Sequence, residues 1–272
     1  MAKVKELQQY LAQCLAECFS TFMLILIGEA SIAQYKFSKP EHRSIVVINP
    51  AVSLGLLSLR KMKVIQCLFY IAGQIIGAFL ASAMVYLVYL SQFNIYDGGI
   101  RQIEGPNVTA DIFYTSPAPG VPNWNCFIDA SVGTALLLIF IMALGNDYND
   151  LISSPAKPFA FALMITTFGF SMGLNCGNPI NPARDFGPRL FTACVYGWKV
   201  FRVNNYYFWT ASLGPIVGAI VGAWTYEGYL ILMKKYANLP GIIHIDAVEQ
   251  PDQRENEKSS YYMETQLSSE SN

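Results

Sequence analysis

Five stretches of this chain are apolar for about 20 residues or more, the length that crosses a bilayer as a helix. They are residues 11–33, 65–90, 126–145, 158–177 and 206–233. Charge is sparse within them: Glu17 and Glu29 lie in the first, Asp129 near the start of the third and Glu227 near the end of the fifth. The first is too long for a signal-peptide core and shows no clear cleavage site, so it reads as a retained span. Residues 249–272 are rich in Glu, Gln, Ser and Asn and poor in aliphatics, as in a disordered tail. The pattern divides the chain into a short N-terminus (1–10), an all-α membrane bundle (11–233) and a largely disordered tail (234–272), with both termini cytoplasmic. Gly73 and Gly77, Gly169 and Gly173, and the row Gly214, Gly218, Gly222 are spaced by four, which lets helix backbones approach closely in lipid.

Two short segments interrupt the pattern. Asn49-Pro50-Ala51 precedes the second span and Asn181-Pro182-Ala183 follows the fourth, each leading into eight or nine fairly apolar residues. Asn is a strong N-cap and Pro is favoured at the first helical position, so each repeat starts a helix too short to cross. Half-helices that begin at mid-membrane point free N–H groups and a positive dipole end at that spot. Irregular backbone at such depth survives only when buried or lining a watery cavity. The prediction is a passage with Asn49 and Asn181 at its centre, each capping its helix and turning an amide N–H toward the solute. A positive centre repels cations and protons and suits neutral solutes. Arg184, an ionised residue at membrane depth, is a functional candidate by default. Asp185 beside it is a possible partner, although adjacent helix positions face different ways.

Composition narrows the classes. Only 14% of the 272 residues are charged against 53% hydrophobic, well below the ~25% charge of soluble domains. A formal charge of −1 argues against a nucleic-acid binder. The six Cys, without a CxxC pair, read as buried thiols, and no metal site is expected. Cys176 and Cys194, near the expected outer mouth, are candidates for mercurial sensitivity. No nucleophile or metal-ligand set accompanies the buried acids and no phosphate loop is present, so neither an enzyme nor a cofactor is expected. The sequon Asn107-Val108-Thr109 makes Asn107 a candidate glycosylation acceptor and places loop 91–125 outside. The positive-inside bias that goes with this orientation is weak.

These residues resemble an aquaglyceroporin, the glycerol-conducting branch of the aquaporin (major intrinsic protein) family, over most of residues 14–233. The run from Asn181 to Arg189 is the most specific, because Asp185 after the Arg typifies the glycerol branch. The segments 105–110, 214–219 and Ala16-Glu17-Cys18 are also similar to family motifs. The resemblance implies a homotetramer in the plasma membrane with one pore per subunit, passing glycerol, often urea, and water down their gradients. It implies central asparagines at Asn49 and Asn181 and a selectivity filter of Gly169, Asn178 and Arg184. Solute-facing carbonyls fall at Val46, Val47 and Gly177, with Asn178 alongside, and a bracing acid at Glu17. Pro50, Ala51, Pro182, Ala183 and Asp185 are supporting residues.

The chain also departs from the family. Only residues 34–48 separate the first span from Asn49, where the family places a whole second span carrying an aromatic filter residue. One broken segment, extended over 44–48 (~17 Å) and helical over 50–58 (~13 Å), is expected to thread the bilayer instead. Ala130 stands where the family has a second buried acid, with Asp129 one position early. The alternative to a conducting channel is a non-conducting truncated isoform or a regulatory subunit.

Overall fold

The computed structural model describes residues 49–146, 152–153 and 156–237, together with most positions of a helical segment between Leu7 and Ile25. All regular structure among these residues is helical. In chain order the helices are α1 (Pro50–Ser58), α2 (Val64–Val88), α3 (Leu90–Asp97), α4 (Asn123–Gly145), α5 (Lys157–Met172), α6 (Pro182–Tyr196) and α7 (Phe208–Ala237), with 3-10 turns at Ala110–Ile112 and Trp198–Phe201. The extended stretch expected over residues 44–48 and the tail from residue 238 onward, all of 249–272 included, lie outside the described residues; the helical half of the expected broken segment is α1.

Several predicted boundaries move. The loop expected over 91–125 begins with α3, closed by Gly98 in the left-handed conformation (φ 67°), where glycine carries no Cβ penalty. The fourth span, read as 158–177, is helical only to Met172. Its last residues turn into irregular backbone with positive φ at Gly177 and Asn178, followed by Pro179. The helix of the fifth span, α7, starts at Phe208 rather than at 206, because Asn204, Asn205 and Tyr206 form a left-handed turn (φ 49°, 54° and 59°) whose Asn204 and Asn205 carbonyls accept from Asn123 Nδ2. The second Asn-Pro-Ala helix runs 15 residues against nine for the first, about 22 Å at 1.5 Å per residue, rather than the eight or nine residues expected.

Glycines set how the helices meet. A Cβ on Gly218 would lie 2.1 Å from Ser131 O and one on Gly222 2.3 Å from Ala135 O, so α4 and α7 touch backbone to backbone. Gly73 and Gly77 bring α2 equally close to Cys14 O and Cys18 O of the first segment. Gly173 is different: its neighbour is Gly169 O of its own turn. Gly55 and Gly187, each six residues after its Asn-Pro-Ala asparagine, do the same for the short helices. Gly55 seats α1 against Leu138 and Ala219, and Gly187 seats α6 against Ala78 and Ile75 O. The outward faces stay apolar: Leu68, Leu80 and Leu87 on α2, Ile128, Val132 and Leu136 on α4, and Leu213, Val217 and Val221 on α7 are all exposed. α2 (25 residues), α4 (23 residues) and the segment Val203–Lys235, which holds most of α7, are long and apolar enough to cross a membrane.

Candidate functional site

Both short helices start as their sequence requires. Asn49 and Asn181 are extended (φ −152° and −144°), and each is followed by Pro in the first turn. Asn49 Oδ1 accepts from Ala51 N at 2.8 Å, and Asn181 Oδ1 accepts from Ala183 N at 3.0 Å and Arg184 N at 3.4 Å. The two ends are tied together, since Asn49 Nδ2 donates to Ile180 O, the carbonyl just before the second repeat. Thr134 Oγ1 of α4 approaches the same carbonyl at 3.5 Å. The cap and the cross-link fix the Asn49 amide plane, so its second N–H has a set direction. Pro50, Ala51, Pro182 and Ala183 are all buried around these ends, and the positive poles of α1 and α6 face one locality.

Arg184 lies in the first turn of α6. Its Nη1 donates to Phe113 O at 3.0 Å, and among the described residues no acceptor takes its Nε or Nη2. Asp185 does not pair with it. The carboxylate instead accepts from Arg189 Nε at 2.9 Å and Nη2 at 3.0 Å, and from Thr115 N (2.9 Å) and Oγ1 (2.7 Å). Helical spacing explains the choice, because i and i+4 share a face while i and i+1 do not. Arg189, fully buried, also donates to Val200 O at 2.9 Å and Thr115 O at 3.2 Å. Its guanidinium lies 3.9 Å from the Tyr114 ring centroid, a cation–π arrangement.

Three consecutive residues of the loop before α4 are therefore anchored separately. The Phe113 ring is buried among Phe93 and Phe191 (centroids 5.8 and 5.4 Å), Tyr114 lies under Arg189, and Thr115 is held by Asp185. The backbone carbonyl that orients Arg184 is thus fixed by side chains of its own helix.

The segment between α5 and α6 packs against α4 and the loop before it. Asp129 accepts from Asn175 Nδ2 at 2.7 Å and Ala118 N donates to Asn175 O at 2.8 Å, so the acid one position early still braces this loop. Ala130 packs against Gly214. Gly177 is exposed beside the Thr115 side chain, and among the described residues nothing donates to its carbonyl. The Asn178 carbonyl, expected to face solute, accepts from Ile180 N at 2.9 Å. The Asn178 side chain is 6% exposed, and its Oδ1, near Gly133, has no hydrogen-bond partner among the described residues.

Other expected residues fall as follows. Gly169 is half-buried, one turn from the end of α5, where Met172 and Asn178 converge on Gly133. Val46 and Val47 lie outside the described residues. Glu17 accepts from Gln74 Nε2 at 2.8 Å, so its described contact is with α2 rather than a loop. Asn107 is exposed, while Thr109 of its sequon is buried and bonded to Asp97 and Tyr196. Cys126 and Cys176 are buried, whereas Cys194 is exposed, against the reading of the six as buried thiols. Sequence reasoning passed over Arg189, Thr115, Thr134 and Gln74 as functional residues. A positively charged residue four positions after Asp185 was the available signal for the first.

Known proteins match this chain in sequence and in fold. The major intrinsic protein profile matches residues 41–226. The chain belongs to the major intrinsic protein family. It is 35% identical to aquaporin-9 of Homo sapiens over 238 residues (79% of this chain, 81% of that one) and 32% identical to human aquaporin-10 over 280 residues (94% and 93%). It is 34% identical to aquaglyceroporin-2 of Rhizophagus irregularis (79% and 76%). The fold is that of the aquaglyceroporin from Plasmodium falciparum, with a TM-score of 0.73 at 24% identity, covering 83% of this chain and 99% of that one. The aquaporin-10 alignment spans 280 positions yet takes in 94% of a 272-residue chain, so about two dozen positions are gaps here, roughly one span. The aquaporin-9 alignment leaves a similar number. As a member of this family the protein is an integral membrane channel for water and small solutes, not an enzyme.

Proposed function

We propose that this channel passes glycerol, other small neutral solutes including urea, and water, and excludes ions and protons. The supporting observation is the joining of the two capped helix ends at Asn49 and Ile180, beside an Arg184 with donors to spare. Solute hydroxyls donate to the Gly177 carbonyl and to Val46 and Val47 on the other side. They accept from Arg184 and from the amides of Asn49 and Asn181, so the chain of hydrogen bonds alternates in sense along the passage. The positive helix poles disfavour a cation at the centre. Gly169 and Asn178 shape the outer constriction. The protein works as a homotetramer in the plasma membrane, with the two Asn-Pro-Ala ends at mid-membrane. Residues 11–233 form the channel, and the N-terminus and the tail from 234 are cytoplasmic. The likeness to the relative named aquaglyceroporin-2 supports glycerol as a permeant.

A second reading, a non-conducting or regulatory form, is favoured by the gaps of about one span's length. Reconstituted vesicles separate the two. The purified chain, and a version with a family-like span inserted between residues 33 and 44, are tested for swelling in water and in iso-osmotic glycerol. Conduction by both supports the channel reading. Conduction by the lengthened chain alone establishes the second.

A further inference from the structure

Two buried cysteines lie in the same region, one on α4 and one before α6. Cys126, in the first turn of α4, and Cys176, in the segment before Asn181, are 0% and 1% exposed. They share one small apolar cluster with Tyr207 and Ala211. Both are free thiols. The backbone around Cys176 is pinned from two sides: Asn175 is tied to Asp129 and Ala118, and the Cys176 carbonyl accepts from Tyr207 Oη at 3.5 Å. This pinning holds both side chains in that four-residue cluster, where a disulfide of ~2.05 Å would join α4 to the segment before α6.

We infer that Cys126 and Cys176 are a redox pair, which a peroxide-class oxidant closes to an intramolecular disulfide that clamps the segment carrying Gly177 and Asn178 onto α4. One thiol attacks a peroxide oxygen, giving a sulfenic acid and water. The second thiol then attacks the sulfenic sulfur, forming the S–S bond and releasing a second water. Two thiols are oxidised by two electrons and one hydrogen peroxide becomes two waters. Hydrogen peroxide is small, neutral and hydroxyl-bearing, and the exposed Gly177 next to Cys176 marks its approach. A dithiol reductant reverses the reaction. The bridge fixes the segment whose Gly177 carbonyl takes solute hydroxyls, so oxidation lowers solute flux. That consequence rests on the proposed function, whereas the bridge does not.

The experiment treats vesicles of the full chain with hydrogen peroxide, blocks remaining thiols and maps peptides without reduction. The expected result is a peptide linked through Cys126 and Cys176, lighter by two hydrogens and resolved into two by dithiothreitol. A sulfinic acid at Cys176 without linkage, a bridge to another cysteine, or two intact thiols at peroxide levels that oxidise the exposed Cys194 would overturn the inference. In the same vesicles glycerol uptake falls on oxidation, returns with dithiothreitol and is insensitive to peroxide in Cys126→Ser. Uptake unchanged by a mapped bridge, or a fall that persists in that variant, overturns the clamp while leaving the channel reading intact. The mapping uses the unsubstituted chain, so a variant that folds poorly does not decide it.

Discussion

Asp185→Ala would strand the Arg189 guanidinium in a site from which water is excluded, since both side chains of the pair are 0% exposed. Losing one partner of a buried pair costs about 3–5 kcal/mol, and here the carboxylate also holds Thr115. A marked fall in melting temperature in detergent is expected, with Asp185→Ala/Arg189→Leu less destabilised than the sum of the single variants. Additive losses would contradict the pairing. Arg184 behaves differently because it is half-buried and carries a single side-chain bond, to Phe113 O. Arg184→Ala should barely move the melting temperature while lowering glycerol uptake relative to water uptake in vesicles. An unchanged ratio would remove Arg184 from the solute path. The sequence pointed to Arg184 through its place after Asn-Pro-Ala, but the partner of Asp185 was legible only as a spacing. Thr115 lies 70 residues away in the chain, beyond any local pattern.

Among the elements, the short helices were the most legible, because a cap and a first-turn proline are local chemistry. Asn49→Ala should cost about 1 kcal/mol for the lost cap, and more if the bond to Ile180 O adds to it, as a melting scan would show. The early end of α5 was hidden because averaging hydropathy over 158–177 gives little weight to Asn175, Gly177 and the backbone they turn. Gly218 tests the packing between elements. A methyl group there would sit 2.1 Å from Ser131 O, so Gly218→Ala forces α4 and α7 apart at a cost of about 1–3 kcal/mol. Gly145→Ala meets nothing within 4 Å and should leave the melting temperature nearly unchanged. Equal effects would mean that close approach does not set the helix spacing.

At the scale of the molecule, apolar length and spacing by four foretold a membrane bundle, and the backbone contacts of Gly73, Gly77, Gly218 and Gly222 are its realisation. Which helix each row meets was not legible, because the partner is set by how α1 and α6 fill the space between longer helices. Gly55 and Gly187, equivalent positions in the two repeats, do that placing. The central claim is that the two capped helix ends form a passage for neutral solutes and against charge. Simultaneous recording of glycerol uptake and of an imposed pH gradient, in one preparation of vesicles holding the purified chain, tests it most directly. Glycerol entry above that of empty vesicles, with the pH gradient preserved, is the predicted result. Correctly inserted protein that admits no glycerol, or that collapses the gradient as glycerol enters, would contradict it.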